Sequence, residues 1–188
     1  MKLNKLFVVV LVLLSFVNLS LAQEGESKKR FNVHTNPLTW IVGLYSIGAD
    51  VAITDNVTLG GSYNIFDFSG DEFEENIDAS ANGLGFRAQY FFNQAFTDSW
   101  YLTGFFDSTK GEVDDTSTNQ FADFRVNSTG VTAGYFWIWN NFNIQLGLGF
   151  QQNNVKVTDS TLSAQDRADL EDLDGASITG DFRIGLAF

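Results

Sequence analysis

Ile178-Thr-Gly-Asp-Phe-Arg-Ile-Gly-Leu-Ala-Phe188 alternates without a break. Ile178, Gly180, Phe182, Ile184, Leu186 and Phe188 are apolar or glycine, whereas Thr179, Asp181, Arg183, Gly185 and Ala187 are polar or small. A period of two places these sets on opposite faces of a strand. Terminal residues fray unless they are tied into structure, so this strand requires a neighbour.

The same alternation recurs upstream. It predicts strands at roughly 31–38, 44–54, 56–66, 82–92, 99–107, 128–139, 141–151 and 177–188, an even number. Asp55-Asn56 and Asn140-Asn141 read as tight turns, and 93–98 as a modest one. The other connections are 67–81, 108–127 and 152–176, with a shorter link near 39–43. Short turns at one rim and long loops at the other are the rhythm of an up-and-down antiparallel barrel. In the last loop, Ser163 to Asp166 reads either as the cap of a short helix running to Leu173 or as a polar excursion.

Residues 1–22 stand outside this pattern. Lys2 and Lys5 precede a run from Leu6 to Val17 that is apolar except for Ser15, and Ser20-Leu-Ala22 puts small residues before a cut at Gln23. This is the form of a secretory signal peptide, and the run is too short to span hydrocarbon as a helix. The expected organisation is signal peptide 1–22, a short segment 23–30 and one barrel domain 31–188. Removing 1–22 takes away two lysines and no acid, so the formal net charge moves from −12 to −14. That balance excludes a nucleic-acid footprint. With no cysteine there is no disulfide framework, and 19 Phe, 17 Gly and one Pro favour strands.

Alternation alone does not say which face looks inward, since a soluble lipocalin-like barrel has the same period. The polar set decides. It comprises Ser46, Gly48, Asp50, Thr58, Gly60, Ser62, Gly85, Arg87, Gln89, Gly130, Thr132, Gly134, Asn143, Gln145, Gly147 and Gly149, mostly small residues suited to a narrow lumen. The opposite face carries Ile47, Val51, Ile53, Val57, Leu59, Leu84, Phe86, Ile144, Leu146, Leu148 and Phe182 without a charge. Its ends are aromatic, with Tyr45, Tyr63, Tyr90, Phe92, Trp100, Tyr135, Trp137, Trp139, Phe142 and Phe150. Membrane interfaces select such rings, and a bilayer requires the strands to close on themselves. The expected fold is an all-β, eight-stranded antiparallel transmembrane β-barrel with its last strand closing on its first.

The ending Gly180-x-Phe182-x-Ile184-x-Leu186-x-Phe188 resembles the C-terminal signal by which outer-membrane barrels are recognised for assembly. The segment from 23 onward is similar to small barrels of the OmpX/OmpA transmembrane-domain type. It is also similar to uncharacterised outer-membrane barrel families with stretches like His34-Thr-Asn-Pro-Leu38 and Gly48-Ala-Asp-Val51. The resemblance implies a Gram-negative outer membrane with both termini periplasmic. It implies lipid and lipopolysaccharide as surroundings, and periplasmic chaperones and the barrel-assembly machinery as partners. It does not fix a function.

Inside the barrel, counting back from the strand ends puts Asp50, Arg87, Asp181 and Arg183 in one lumenal layer, with Gln145 reaching it. Two acids and two bases cancel there, and arginine forks can satisfy both carboxylates, so a charge-balanced plug is expected. His34, the single histidine, sits near the start of the first strand without a serine beside it, which gives no nucleophile–base set. Asp169 to Gly175 has the look of a calcium loop but lacks its first acid and its closing glutamate. Gly83-Leu-Gly85 and Gly147-Leu-Gly149 lack the third glycine of a phosphate loop and read as lumenal small residues. Asn56-Val-Thr58 and Asn127-Ser-Thr129 match glycosylation acceptors by chance.

The long loops hold 16 of the 23 acids, alongside Lys110, Arg125, Lys156 and Arg167. They form a solvated face that could also share divalent cations with lipid phosphates or meet a basic partner. The functional expectation is a monomeric structural or surface-interaction barrel, not an enzyme and without a cofactor. A narrow channel is the alternative, disfavoured because eight strands leave an interior that side chains fill. A lipid-modifying enzyme ranks third.

Overall fold

The computed structural model describes residues 28–69, 77–115, 120–161 and 174–188. The signal segment 1–22, the candidate helix ending at Leu173 and most of the calcium-like loop lie outside them. The described strands are β1 (Phe31–Thr35), β2 (Leu44–Ala52), β3 (Val57–Ser69), β4 (Ile77–Phe91), β5 (Ser99–Asp115), β6 (Gln120–Trp139), β7 (Phe142–Ser160) and β8 (Gly175–Ala187). They form a closed antiparallel barrel in chain order. Closure runs from Asn32↔Ala187 to Thr35↔Ile184. Around it, the Phe188 backbone carbonyl accepts from the amides of Arg30 and Phe31, and the Phe188 amide donates to the carbonyl of Phe31.

β1 is shorter than its sequence pattern. Pro37, which has no backbone N–H to give a ladder, opens a 3-10 turn over Pro37–Val42. The Asn36 side chain caps it by accepting from Leu38 N at 3.1 Å, and Gly43 ends it at φ 71°. Above Ile184 the outer edge of β8 therefore has no ladder partner among the described residues.

The long loops of the sequence reading are largely strand. β5 and β6 stay paired up to Asp115↔Gln120, and β6 and β7 up to Ala122↔Ser160. All four acids of 108–127 (Glu112, Asp114, Asp115 and Asp123) and Asp159 lie on these ladders, while Asp67 and Asp78 lie on the paired β3 and β4. The apolar phase changes face there. Ala122, Phe124 and Val126 on β6 and Val155 and Val157 on β7 lie on the inward phase, opposite to the apolar residues lower on the same strands, which breaks the alternation read along the chain.

The short-turn end is closed from within. Phe91, Phe96, Tyr101 and Phe136 cluster with Ala52, Ala95 and Ala187. Phe91 meets Phe136 edge-on at 5.4 Å and Phe96 at 5.9 Å. Phe96 comes from the turn after β4 and reaches under the barrel with φ 58°. Outside that floor, Lys28 binds Asp55 at 2.7 Å, and this hydrogen bond and charge hold the Asp55 carboxyl below its ordinary value.

Candidate functional site: the lumenal polar layer

Directly above the aromatic floor lies a layer of buried polar side chains: Asn32, His34, Asp50, Gln89, Asn143, Gln145 and Arg183. Register explains who meets whom. Asp50 pairs with Gly60, and Gly60 with Arg87, so one cross-strand row reads acid, glycine, base. A Cβ on Gly60 would collide with the Asp50 carboxylate. The missing side chain lets Asp50 lean across β3, where its Oδ1 lies 3.8 Å from Arg87 Nε. His34 uses the same device over its partner Gly48, placing Nε2 3.2 Å from Asp50 Oδ2.

On the other side of the lumen, Tyr101, Gly134, Gly147 and Asp181 form a row across β5 to β8. The Tyr101 hydroxyl fills the space that a side chain on either glycine would need, and it donates to Asp181 Oδ2 at 3.0 Å. Arg183 forks onto the same carboxylate, with Nε to Oδ1 at 2.7 Å and Nη2 to Oδ2 at 2.5 Å. Gln145 Nε2 donates to Asp181 Oδ2 at 2.9 Å and faces Gln89. Arg183 Nη1 lies 3.9 Å from Asp50 Oδ2, which joins the two halves. Asn143 donates to Asn32 at 2.8 Å, and Asn32 reaches Asp50.

The five residues grouped from sequence, Asp50, Arg87, Gln145, Asp181 and Arg183, thus sit in one connected layer, but unequally. Asp181 and Arg183 form a forked, charge-assisted pair. Arg87 makes only the looser contact to Asp50. His34, near the start of the first strand, is 5 % exposed within the layer and, among the described residues, makes no hydrogen bond to a hydroxyl. Its position one pair above Asn32, on the inward phase, is the signal that would have placed it. Tyr101 was also missed, although an outward Trp100 requires an inward Tyr101 by alternation.

Above the layer is a cavity of about 380 Å³ lined by Arg87, Thr103, Asp107, Thr109 and Thr132 among others. Among the described residues, no group of three His, Cys, Asp or Glu side chains could hold a metal ion. From the cavity toward the short-turn end, the lumen is filled first by these paired charges and then by the aromatic cluster. Of the terminal pattern, Gly180, Phe182, Ile184 and Leu186 face outward on β8, and Phe188 stacks on Phe31 at 6.2 Å.

The sequence matches the family described as Protein of unknown function (DUF3575) over residues 7–167. The chain belongs to this family. No curated protein matches. Among solved structures, Neisserial surface protein A (NspA) is similar at 15% identity and a TM-score of 0.48, covering 85% of this chain and 94% of that one.

Proposed function

We propose that this member of the family is an integral outer-membrane barrel, sealed to flow, with a structural or surface-interaction role. One observation carries the reading. The outward face of a closed barrel exposes large apolar side chains around its circumference, including Leu84, Phe86, Trp100, Val131, Leu148, Phe150 and Ile178. Water-exposed surfaces rarely carry apolar patches of that extent, whereas lipid accepts them at no cost. Trp100, Tyr135 and Trp137 form a contiguous aromatic rim, with ring centroids 5.3 and 4.9 Å apart.

The short-turn end, with its floor and both ends of the domain, is the periplasmic side in this reading. The tall acidic walls of β5 to β7 rise outward from the cell. The export signal 1–22, the likeness to OmpX/OmpA barrels, delivery by periplasmic chaperones and the assembly machinery, and a monomeric state all belong to the same proposal. The lumenal seal favours it over a channel. Cell fractionation tests the first half, with the protein expected in the outer membrane. Planar-bilayer recording tests the second, with no stepwise current expected from wild type. Recovery in the periplasm would overturn the membrane reading, and a sustained current would favour the channel.

A further inference from the structure

The basic side chains outside the lumen are few, and the barrel gathers three of them. Lys28, Lys29 and Arg30 lie at the short-turn end, and Arg87 and Arg183 line the lumen. Lys110, Arg125 and Lys156 stand directly opposite one another on β5, β6 and β7. All three are exposed on the outward phase of their strands. Neighbouring strands are ~4.8 Å apart, so the row spans only ~10 Å. Like charges directly opposite each other destabilise a sheet. Among the described residues, none of the three has an ion-pair partner that would relieve this.

The surroundings of the row have their own order. Phe106, Val131 and Phe150 are the last exposed large apolar residues below it on these strands. Between them and the row the outward positions are Ser108, Asn127, Thr129, Gln152 and Asn154, all uncharged hydrogen-bonding groups. Lys110 is four residues beyond Phe106 and Lys156 six beyond Phe150, which is ~13–20 Å along the strands. Even with strand tilt, that exceeds the ~5–8 Å headgroup zone of an ordinary bilayer. An outward concavity of about 300 Å³ opens at this height, lined by Asn82, Lys110, Glu112, Asp123 and Arg125 among others. Its upper lip is the next row, Glu112↔Asp123, which repels any anion set higher.

We infer that Lys110, Arg125 and Lys156 form a binding site for the phosphate groups of an outer-leaflet saccharide lipid. Its acyl chains lie against the apolar belt, its sugar hydroxyls meet the uncharged collar, and its phosphates reach the row. Phosphate supplies the missing counter-charge, and arginine and lysine are the side chains suited to it. The inference rests on the membrane reading above and adds a ligand class and a place for it.

The test uses wild type and a Lys110→Gln/Arg125→Gln/Lys156→Gln variant, both refolded into phosphatidylglycerol vesicles. The probes are a phosphorylated saccharide lipid, its dephosphorylated form and inorganic phosphate. Wild type is expected to retain the phosphorylated lipid through gel filtration, and the triple variant to bind it about a hundredfold more weakly. The dephosphorylated form should bind wild type no better than it binds the variant. Without lipid, the triple variant should unfold at higher denaturant than wild type, because the repulsion is gone. Equal binding by both proteins, or equal binding of both lipid forms, overturns the site. Full competition by inorganic phosphate at matched concentration would make it a free-anion site and overturn the lipid assignment. If wild type inserts into the vesicles but retains no lipid, this inference alone fails. If it does not insert, the membrane reading fails as well.

Discussion

Tyr101 donates its hydroxyl hydrogen to Asp181 across the backbones of Gly134 and Gly147, the four residues forming one row over β5 to β8. The two glycines are where they are because the Tyr101 hydroxyl occupies the space their side chains would need. Gly147→Val should therefore displace the tyrosine and cost about 1–3 kcal/mol by overpacking. Tyr101→Phe removes only the hydroxyl and should cost about 1.5–3 kcal/mol, as expected for a hydrogen bond to a charged group. Denaturant unfolding of micelle-refolded protein measures both. A Gly147→Val variant as stable as wild type would show that the row does not constrain the tyrosine.

The two lumenal arginines should respond differently to truncation. Arg183 forks onto Asp181, so Arg183→Ala leaves that buried carboxylate without its paired cation, held only by Tyr101 and Gln145, and should cost about 3–5 kcal/mol. Arg87 contacts Asp50 only at 3.8 Å, and Asp50 keeps His34 and Arg183 nearby. Arg87→Ala should cost less than Arg183→Ala in the same experiment. The reverse order would mean that Asp50, not Asp181, anchors the layer.

Phe188 plays two parts that substitution separates. Its backbone completes the closure of β8 on β1, so deleting it would disturb the barrel directly. Phe188→Ala keeps those bonds and removes the ring, worth about 1.5–3 kcal/mol by burial. A modest loss of stability is expected in refolded protein but a severe loss of assembly in cells, because the proposed assembly signal includes this ring. Unchanged insertion kinetics in cells would remove the ring from that pattern.

In the proposed orientation, with the short-turn end periplasmic, protease added to intact cells should leave the turns at 53–56, 93–98 and 140–141 uncut. The paired segments 108–115 and 120–127 should resist as well, since their backbones are engaged in ladders. Cleavage confined to the short turns would invert the orientation.

Much of this was legible in the chain itself. The two-residue period gave eight strands and sorted inward from outward residues, because that phase is local information. Counting from strand ends brought Asp50, Arg87, Gln145, Asp181 and Arg183 to one height. It did not reveal that Arg183 takes Asp181 in preference to Asp50, since partners depend on register between strands. Tyr101 reaches Asp181 over glycines from two intervening strands, a relation no single segment displays. The aromatic floor escaped notice because Phe96 comes from a turn. The extensions of β6 and β7 were not legible because their apolar residues, Ala122, Phe124, Val126, Val155 and Val157, sit on the opposite phase from those lower on the same strands.

In the proposed membrane barrel the outward apolar face lies in lipid. The chain has no cysteine, so single cysteines at Phe86, Leu148 and Thr132 can carry spin labels in protein reconstituted into vesicles. Labels at Phe86 and Leu148, on the outward face, should be relaxed by oxygen dissolved in the bilayer and shielded from a water-soluble nickel complex. The label at the lumenal Thr132 should be shielded from the bilayer oxygen. If Phe86 and Leu148 labels are instead relaxed by the nickel complex, the face is in water and the membrane account is wrong.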